Sequence, residues 1–322
     1  MRQRFVGRTG LQVSRLGLGT MTWGRETDEY EAREQLSAFI EAGGSLVDTA
    51  ANYVGGASEE LLGAVLADTV HRDEVVLATK AGVERLDGPS AADVSSGRLL
   101  NQLDRSLRRL GTNHVDLWQV HVWLDEFPLD ETLSALDVAV TSGRVRYVGV
   151  SNYSGWQTAK AATWQRAWPD RAPLASTQVE YSLLQRGIER EVVPAAQDAG
   201  LGILCWSPLG RGVLTGKYRS GTPSDSRSAD PDLEGFVGAY LNDRAHGIVE
   251  AACKAADGLG LSPVQVALAW VCDRPGVTSA IVGARTAAQL LASLSSEDVE
   301  LPEEIVVALD DISAPSMGYP ER

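Results

Sequence analysis

Short apolar runs alternate along the chain with longer stretches of helical periodicity. Eight runs read as strands: Ser14–Gly19, Ser45–Asp48, Val75–Thr79, Val115–His121, Val145–Val150, Ala175–Val179, Gly202–Ser207 and Ser279–Val282. Their apolar residues are continuous rather than alternating, as strands covered on both faces require. Between them, Leu99, Leu103, Leu107 and Leu110 repeat at three- and four-residue spacing, and so do Leu129, Leu133, Leu136 and Val140. Such stripes predict helices with one buried face. Ser58, followed by two acids, is expected to cap one helix, and Ser262 before Pro263 to start another. Eight strand–helix alternations without a break in composition predict an α/β fold, a closed (β/α)₈ TIM barrel forming a single domain over residues 1–322.

Two stretches depart from this rhythm. Residues 217–240, "KYRSGTPSDSRSADPDLEGFVGAY", are rich in Gly, Ser, Pro and Asp and read as a long loop after the seventh strand. Loops of that length are often lids. Near the N-terminus, "FVGRTGLQVSRLGLG" predicts a β-hairpin at the barrel bottom.

Composition narrows the function classes. The chain has 322 residues, 44% hydrophobic and 22% charged, and a net charge of −14. An acidic surface argues against nucleic acid, whose phosphates need clustered Lys and Arg. A small anionic ligand in a local basic pocket is still compatible. Three widely spaced cysteines without a C-x-x-C fit neither a disulfide scaffold nor a zinc site, and favour a reducing cytoplasm. No apolar run approaches the ~20 residues of a membrane span. The expected partner is a small molecule, with neither metal, nucleic acid nor membrane.

The candidate chemistry lies where a barrel places it, at the C-terminal strand ends. Asp48 ends one run and Tyr53 follows it. Lys80 ends the next, and His121 the one after. A phenol is a weak acid at neutral pH, but a neighbouring ammonium favours its anion and is expected to lower its pKa. Asp48 would hold Lys80 charged and oriented, and His121 would hydrogen-bond a carbonyl oxygen. Singly, each residue has an ordinary structural explanation: a helix cap, a structural ion pair, a satisfied histidine. Four complementary groups at consecutive strand ends point instead to proton donation. A metal-dependent hydrolase using Asp48, His121 and Glu180 is a competing reading, but it needs further mouth histidines.

The segments "TGLQVSRLGLGT", "DTAANY", "TK", "VDLWQVH", "GRVRYVGVSN", "QVEYSLL", "WSPLGRGVLTGKY" and "PGVTSAIVGARTAAQL" follow one another in an order that resembles the aldo-keto reductases. The resemblance runs from Gly7 to Leu290. It implies a (β/α)₈ barrel that reduces an aldehyde or ketone with NADPH, with Asp48, Tyr53, Lys80 and His121 as the catalytic tetrad and Tyr53 as the acid. The alternative is an NADPH-binding sensor of the channel β-subunit-like branch, with little turnover.

Barrels often bind phosphate after the last two strands, at a helix N-terminus. "VGARTAAQLL" offers Gly283, Arg285 and Thr286 there, and "PLGRGVLTGK" brings Arg211 and Lys217. The latter is one residue too long for a P-loop, and no G-x-G-x-x-G occurs. The resemblance implies that Trp206 stacks on the nicotinamide and that Ser151, Asn152 and Gln178 hold its carboxamide. It assigns Ser207, Leu209 and Arg211 to the pyrophosphate, and Arg285 and Gln289 to the 2′-phosphate and adenine. Gly19, Thr20, Met21, Asp48, Pro208, Gly212 and Lys217 complete the cofactor contacts, and residues 217–240 match a cofactor belt. One departure concerns the adenine side, where "QLLAS" places Ala292 and Ser293 instead of Glu and Asn. Trp23, Tyr53, His121 and Trp123 are expected to line the substrate pocket, with Trp206 completing an aromatic cup.

Overall fold

The computed structural model describes residues 1–84, 91–219, 221, 234–315 and 318. Its strands are β1 (Gln3–Phe5), β2 (Gln12–Ser14), β3 (Leu16–Gly19), β4 (Leu46–Asp48), β5 (Val76–Ala81), β6 (Val83–Glu84), β7 (Ala91–Ala92), β8 (Val115–Val120), β9 (Val145–Ser151), β10 (Leu174–Glu180), β11 (Gly202–Trp206) and β12 (Val277–Gly283). Its helices are α1 (Glu29–Glu41), α2 (Ala57–Thr69), α3 (Ser96–Leu110), α4 (Leu129–Thr141), α5 (Gly155–Arg166), α6 (Ile188–Ala199), α7 (Glu234–Gly238), α8 (Asp243–Leu259), α9 (Pro263–Cys272), α10 (Ala287–Leu294) and α11 (Glu303–Ser313).

Eight parallel strands close in the order β3-β4-β5-β8-β9-β10-β11-β12. This is the (β/α)₈ barrel expected from the apolar runs. Register matters most for the site. Gly19 pairs with Asp48 and with Gly283, Ser151 with Gln178, and Glu180 with Trp206. Residues read from separate segments therefore end on one rim.

The apolar stripe Leu99, Leu103, Leu107 and Leu110 is buried between α3 and the barrel. Burying a leucine stabilises by about 1.5–3 kcal/mol relative to leaving it exposed. Pro263 opens α9, and Ser262 caps it through a reciprocal pair with Gln265. Space between helices is tight. A Cβ added to Gly63 of α2 would lie 2.4 Å from the Arg109 carbonyl oxygen at the end of α3.

The predicted hairpin forms from β1 and β2. Its Val6, Leu11 and Val13 pack with Leu46, Ala78, Leu117, Ala175 and Leu204 in a core of their own. The Arg8 amide donates to the Gly200 carbonyl, just before β11, so the hairpin closes the N-terminal end of the barrel.

Three details differ from the sequence reading. The run Ser14–Gly19 divides, because Ser14 belongs to the hairpin and its hydroxyl accepts from the Ser45 and Leu46 amides. Ser58 does not cap α2. It lies inside the first turn, fully buried, and donates to the Thr20 carbonyl at 2.7 Å, while Gly56 holds the cap position with φ +104°. Residues 217–240 are not all loop: Lys217–Arg219 turn and α7 is helical, while most of the intervening stretch lies outside the described residues.

Candidate active site

β4 delivers Asp48 to the rim, and the chain then turns sharply. The Thr49 and Ala51 amides donate to the carbonyls of Ala78 and Lys80, which ties the turn to β5. Small, buried Ala50 and Ala51 leave room for this descent. A single tight turn follows at Tyr53–Gly56, with Val54 at φ 50°. It aims the Tyr53 phenol back over β5.

Lys80 is the centre of the group. Its ammonium donates to Asp48 Oδ2 at 2.5 Å, to the Thr49 carbonyl at 2.8 Å and to the Tyr53 hydroxyl at 3.3 Å. Asp48 and Lys80 are almost wholly buried. Burial alone would lower the Lys80 pKa, but Asp48, and then Tyr53, reverse this and the net direction is up. Lys80 therefore stays charged. Tyr53 is also raised: burial is the largest cause, Lys80 pulls the other way and Asp48 adds to the rise. The expected lowering by Lys80 is present but is outweighed by desolvation. The His121 ring lies edge-on to Tyr53, with centroids 6.2 Å apart. Burial, helped by the charge of Lys80, lowers its pKa to about 3. It is neutral at physiological pH, and its Nδ1 is buried without a hydrogen-bond partner.

A second network adjoins the first. Gln178 donates to the other Asp48 oxygen at 2.9 Å. The Ser151 hydroxyl and the Asn152 amide both donate to the Gln178 carbonyl at 2.9 Å. The Asn152 side chain donates to the His121 carbonyl at 3.0 Å and accepts from the Trp206 indole at 3.0 Å. Among the described residues, four non-glycine residues have left-handed backbone: Val54, Asn152, Ser207 and Arg211. All but Val54 line the cleft, and Val54 follows a residue that does. Strain of about 1–3 kcal/mol per residue persists where surrounding structure enforces it, which is typical of functional sites.

These residues face a cleft of about 530 Å³. Asp48, Tyr53 and His121 line it, with Lys80 directly beneath. So do Gly19, Met21, Ser151, Asn152, Gln178, Trp206, Ser207, Pro208, Leu209, Arg211, Gly212, Lys217, Gly283, Arg285 and Gln289. Thr20 does not reach it; its hydroxyl is buried against the Asp48 carbonyl and Ser58. Trp23 is also absent from the lining. It is fully buried, with its indole donating to Gln35 at 3.2 Å, because α1 covers it. Trp123 lies outside the cleft too. It packs edge-on against Tyr153 and Trp156 and donates to Asp125. The aromatic cup expected from the sequence is thus reduced to Tyr53 and Trp206, joined by Phe236.

Sequence reasoning missed Phe236, whose ring is nearly parallel to Trp206, 6.4 Å away. A lone Phe in a polar stretch gives no sign of which surface it meets. Asn52 was also missed, although it stands between Asp48 and Tyr53; its Oδ1 is buried without a partner. Glu180 has a partner that the sequence did not suggest. Arg211 grips it with two bonds, at 2.6 and 2.8 Å, and also donates to the Phe236 carbonyl at 2.6 Å. Among the described residues, no cluster of three or more His, Cys, Asp or Glu is arranged to hold a metal ion. No single helix among them is long and apolar enough to cross a membrane.

A sequence model described as the Aldo/keto reductase family matches residues 15–314. An uncharacterized oxidoreductase of Bacillus subtilis (strain 168), YrpG, is 37% identical over 97% of this chain and 96% of its own. L-glyceraldehyde 3-phosphate reductase of Escherichia coli (strain K12) is 34% identical over 90% of this chain and 86% of its own. A probable voltage-gated potassium channel subunit beta of Oryza sativa subsp. japonica is 33% identical over 100% of this chain and 98% of its own. With the closed barrel and a match over nearly its whole length, the chain belongs to the aldo/keto reductase family.

Proposed function

We propose that this protein reduces an aldehyde or ketone to an alcohol with NADPH, and that Tyr53 is the general acid. One observation carries the reading: Lys80 is held by Asp48 and donates to the Tyr53 hydroxyl, beside a neutral His121 at the floor of an open cleft. The family uses nicotinamide cofactors, and this cleft suits one. Its floor offers the amide and hydroxyl groups of Gln178, Asn152 and Ser151, Trp206 supplies a ring, and Lys217 and Arg285 supply charge at the rim. Gly19 and Gly283, paired in register, keep one wall at backbone thickness.

The cofactor would supply the hydride to the carbonyl carbon. Tyr53 gives its proton to the carbonyl oxygen, which completes the alcohol. A raised pKa keeps that proton in place until it is needed. Lys80 stabilises the phenolate left behind, and Asp48 holds Lys80 in position. Neutral His121 orients the carbonyl by hydrogen bonding. A cytoplasmic, small-molecule enzyme fits this reading. The test is a panel of aldehydes and ketones followed by loss of NADPH absorbance. Turnover with several of them supports an enzyme. Tight NADPH binding without turnover on any would favour a sensor.

A further inference from the structure

We propose that Glu31 sets how strongly this chain prefers a phosphorylated over an unphosphorylated nicotinamide cofactor. The inference rests on the proposed cofactor cleft but concerns residues behind its rim. Arg285 and Gln289, at the N-terminus of α10, form the basic end of that cleft. Helix N-termini with an adjacent guanidinium attract phosphate. Here the chain's own groups already occupy the terminus. The Glu31 carboxylate, from the first turn of α1, accepts from the Ala287 amide at 2.7 Å. The Gln289 side chain accepts from the Arg285 amide at 3.0 Å, and Thr286 from the Gln289 amide at 3.3 Å. A second carboxylate, Glu26, stands 3.9 Å from the Arg285 Nε and also pairs with Arg25.

The two helix N-termini meet at Glu31. Its own amide donates to Asp28, the cap of α1, while its side chain reaches the start of α10. An internal anion thus stands at the start of α10, behind the part of the cleft wall lined by Arg285 and Gln289. A phosphate bound at Arg285 meets the charges of Glu26, 3.9 Å from the Arg285 Nε, and of Glu31 behind it, against like-charge repulsion. A ribose hydroxyl carries no charge and meets no such penalty. The attraction expected from Arg285 and Lys217 is therefore partly cancelled, and NADH becomes a competitive ligand.

The test measures dissociation constants of NADPH and NADH by quenching of tryptophan fluorescence, without turnover. The wild-type constants are expected within about tenfold of each other. Glu31→Gln keeps an acceptor for the Ala287 amide and removes the charge. It is expected to tighten NADPH about 5- to 20-fold and leave NADH within about twofold. Glu31→Ala provides a second reading in the same direction, and a thermal midpoint checks that both fold. Glu34→Gln, on the exposed face of the same helix, controls for net charge. An unchanged NADPH-to-NADH ratio in the Glu31 variants overturns the proposal, and so does an equal shift in Glu34→Gln. If neither cofactor binds any form, the cofactor reading itself fails, which a bound pair with an unchanged ratio would not imply.

Discussion

Replacing Asp48 by Asn removes the charge that holds Lys80. The pair is separated by 2.5 Å, with 1% of the Lys80 side chain and 3% of the Asp48 side chain exposed. Breaking one side of such a buried pair costs about 3–5 kcal/mol. The lower end is expected here, because Lys80 keeps the Thr49 carbonyl at 2.8 Å. An Asn oxygen also cannot serve both Lys80 and Gln178, which now use separate oxygens of Asp48. The pH dependence should change sign. In the wild type, the raised Lys80 pKa means that the folded state holds a proton longer than the unfolded chain does. That stability is full below the unfolded pKa and is lost as pH rises through the folded value. In Asp48→Asn, burial is left to dominate and the folded pKa falls below the unfolded one. Stability should then rise with pH across that interval. Urea unfolding at about pH 7 and about pH 10 reads the variant's slope, and a third point at about pH 11 reads the wild-type loss, which begins only above the unfolded lysine pKa of about 10.4. A loss under about 1 kcal/mol at neutral pH, or an unchanged sign of the pH slope, would refute the reasoning.

Other expectations follow from single features. His121, depressed to about 3 by burial and by Lys80, should stay neutral across the working range; kcat should show no His121-dependent inflection between about pH 5 and 8, which a comparison of wild-type and His121→Gln profiles checks. Its contribution to stability should be full above the unfolded histidine pKa and decline below it, as acid unfolding would show. Gly63→Ala would push a methyl into the Arg109 carbonyl and should destabilise by about 1–3 kcal/mol, seen as a lower urea midpoint with unchanged cofactor affinity. Ala292 is exposed on the cleft, whereas Ser293 is buried with its hydroxyl donating to the Gln289 carbonyl. Ala292→Glu alone should therefore gain one adenine hydrogen bond, about 0.5–1.5 kcal/mol, and slow NADPH release by up to about tenfold in stopped-flow fluorescence.

The barrel was legible because the strands read as short, largely apolar runs and the stretches between them are long enough for helices, two of which, α3 and α4, carry clear leucine stripes. The catalytic group was legible for a related reason. Strand ends converge in this fold, and Asp48, Lys80 and His121 stand at or beside the ends of β4, β5 and β8. What sequence hid was direction and partnership. Trp23 and Trp206 look alike on paper, yet α1 buries the first and β11 presents the second. Arg211 reads as a pyrophosphate contact, and the sequence does not suggest that Glu180, 31 residues away, grips it with both oxygens. Ser58 resembles a cap because acids follow it, while Gly56 supplies the left-handed residue that the turn needs. The Lys80 effect on Tyr53 had the right sign, but the extent of burial, which no sequence pattern reveals, decides the net shift.

The claim that Tyr53 is the proton donor is tested most directly by Tyr53→Phe, which keeps the ring and removes only the hydroxyl. Single-turnover oxidation of bound NADPH by a carbonyl compound that the wild type reduces would be followed by fluorescence. The rate is expected to fall by about 10²–10⁴-fold, with NADPH affinity changed less than about twofold. A near wild-type rate in this variant would contradict the assignment, and a matching loss of NADPH affinity would mean that the hydroxyl serves binding rather than proton transfer.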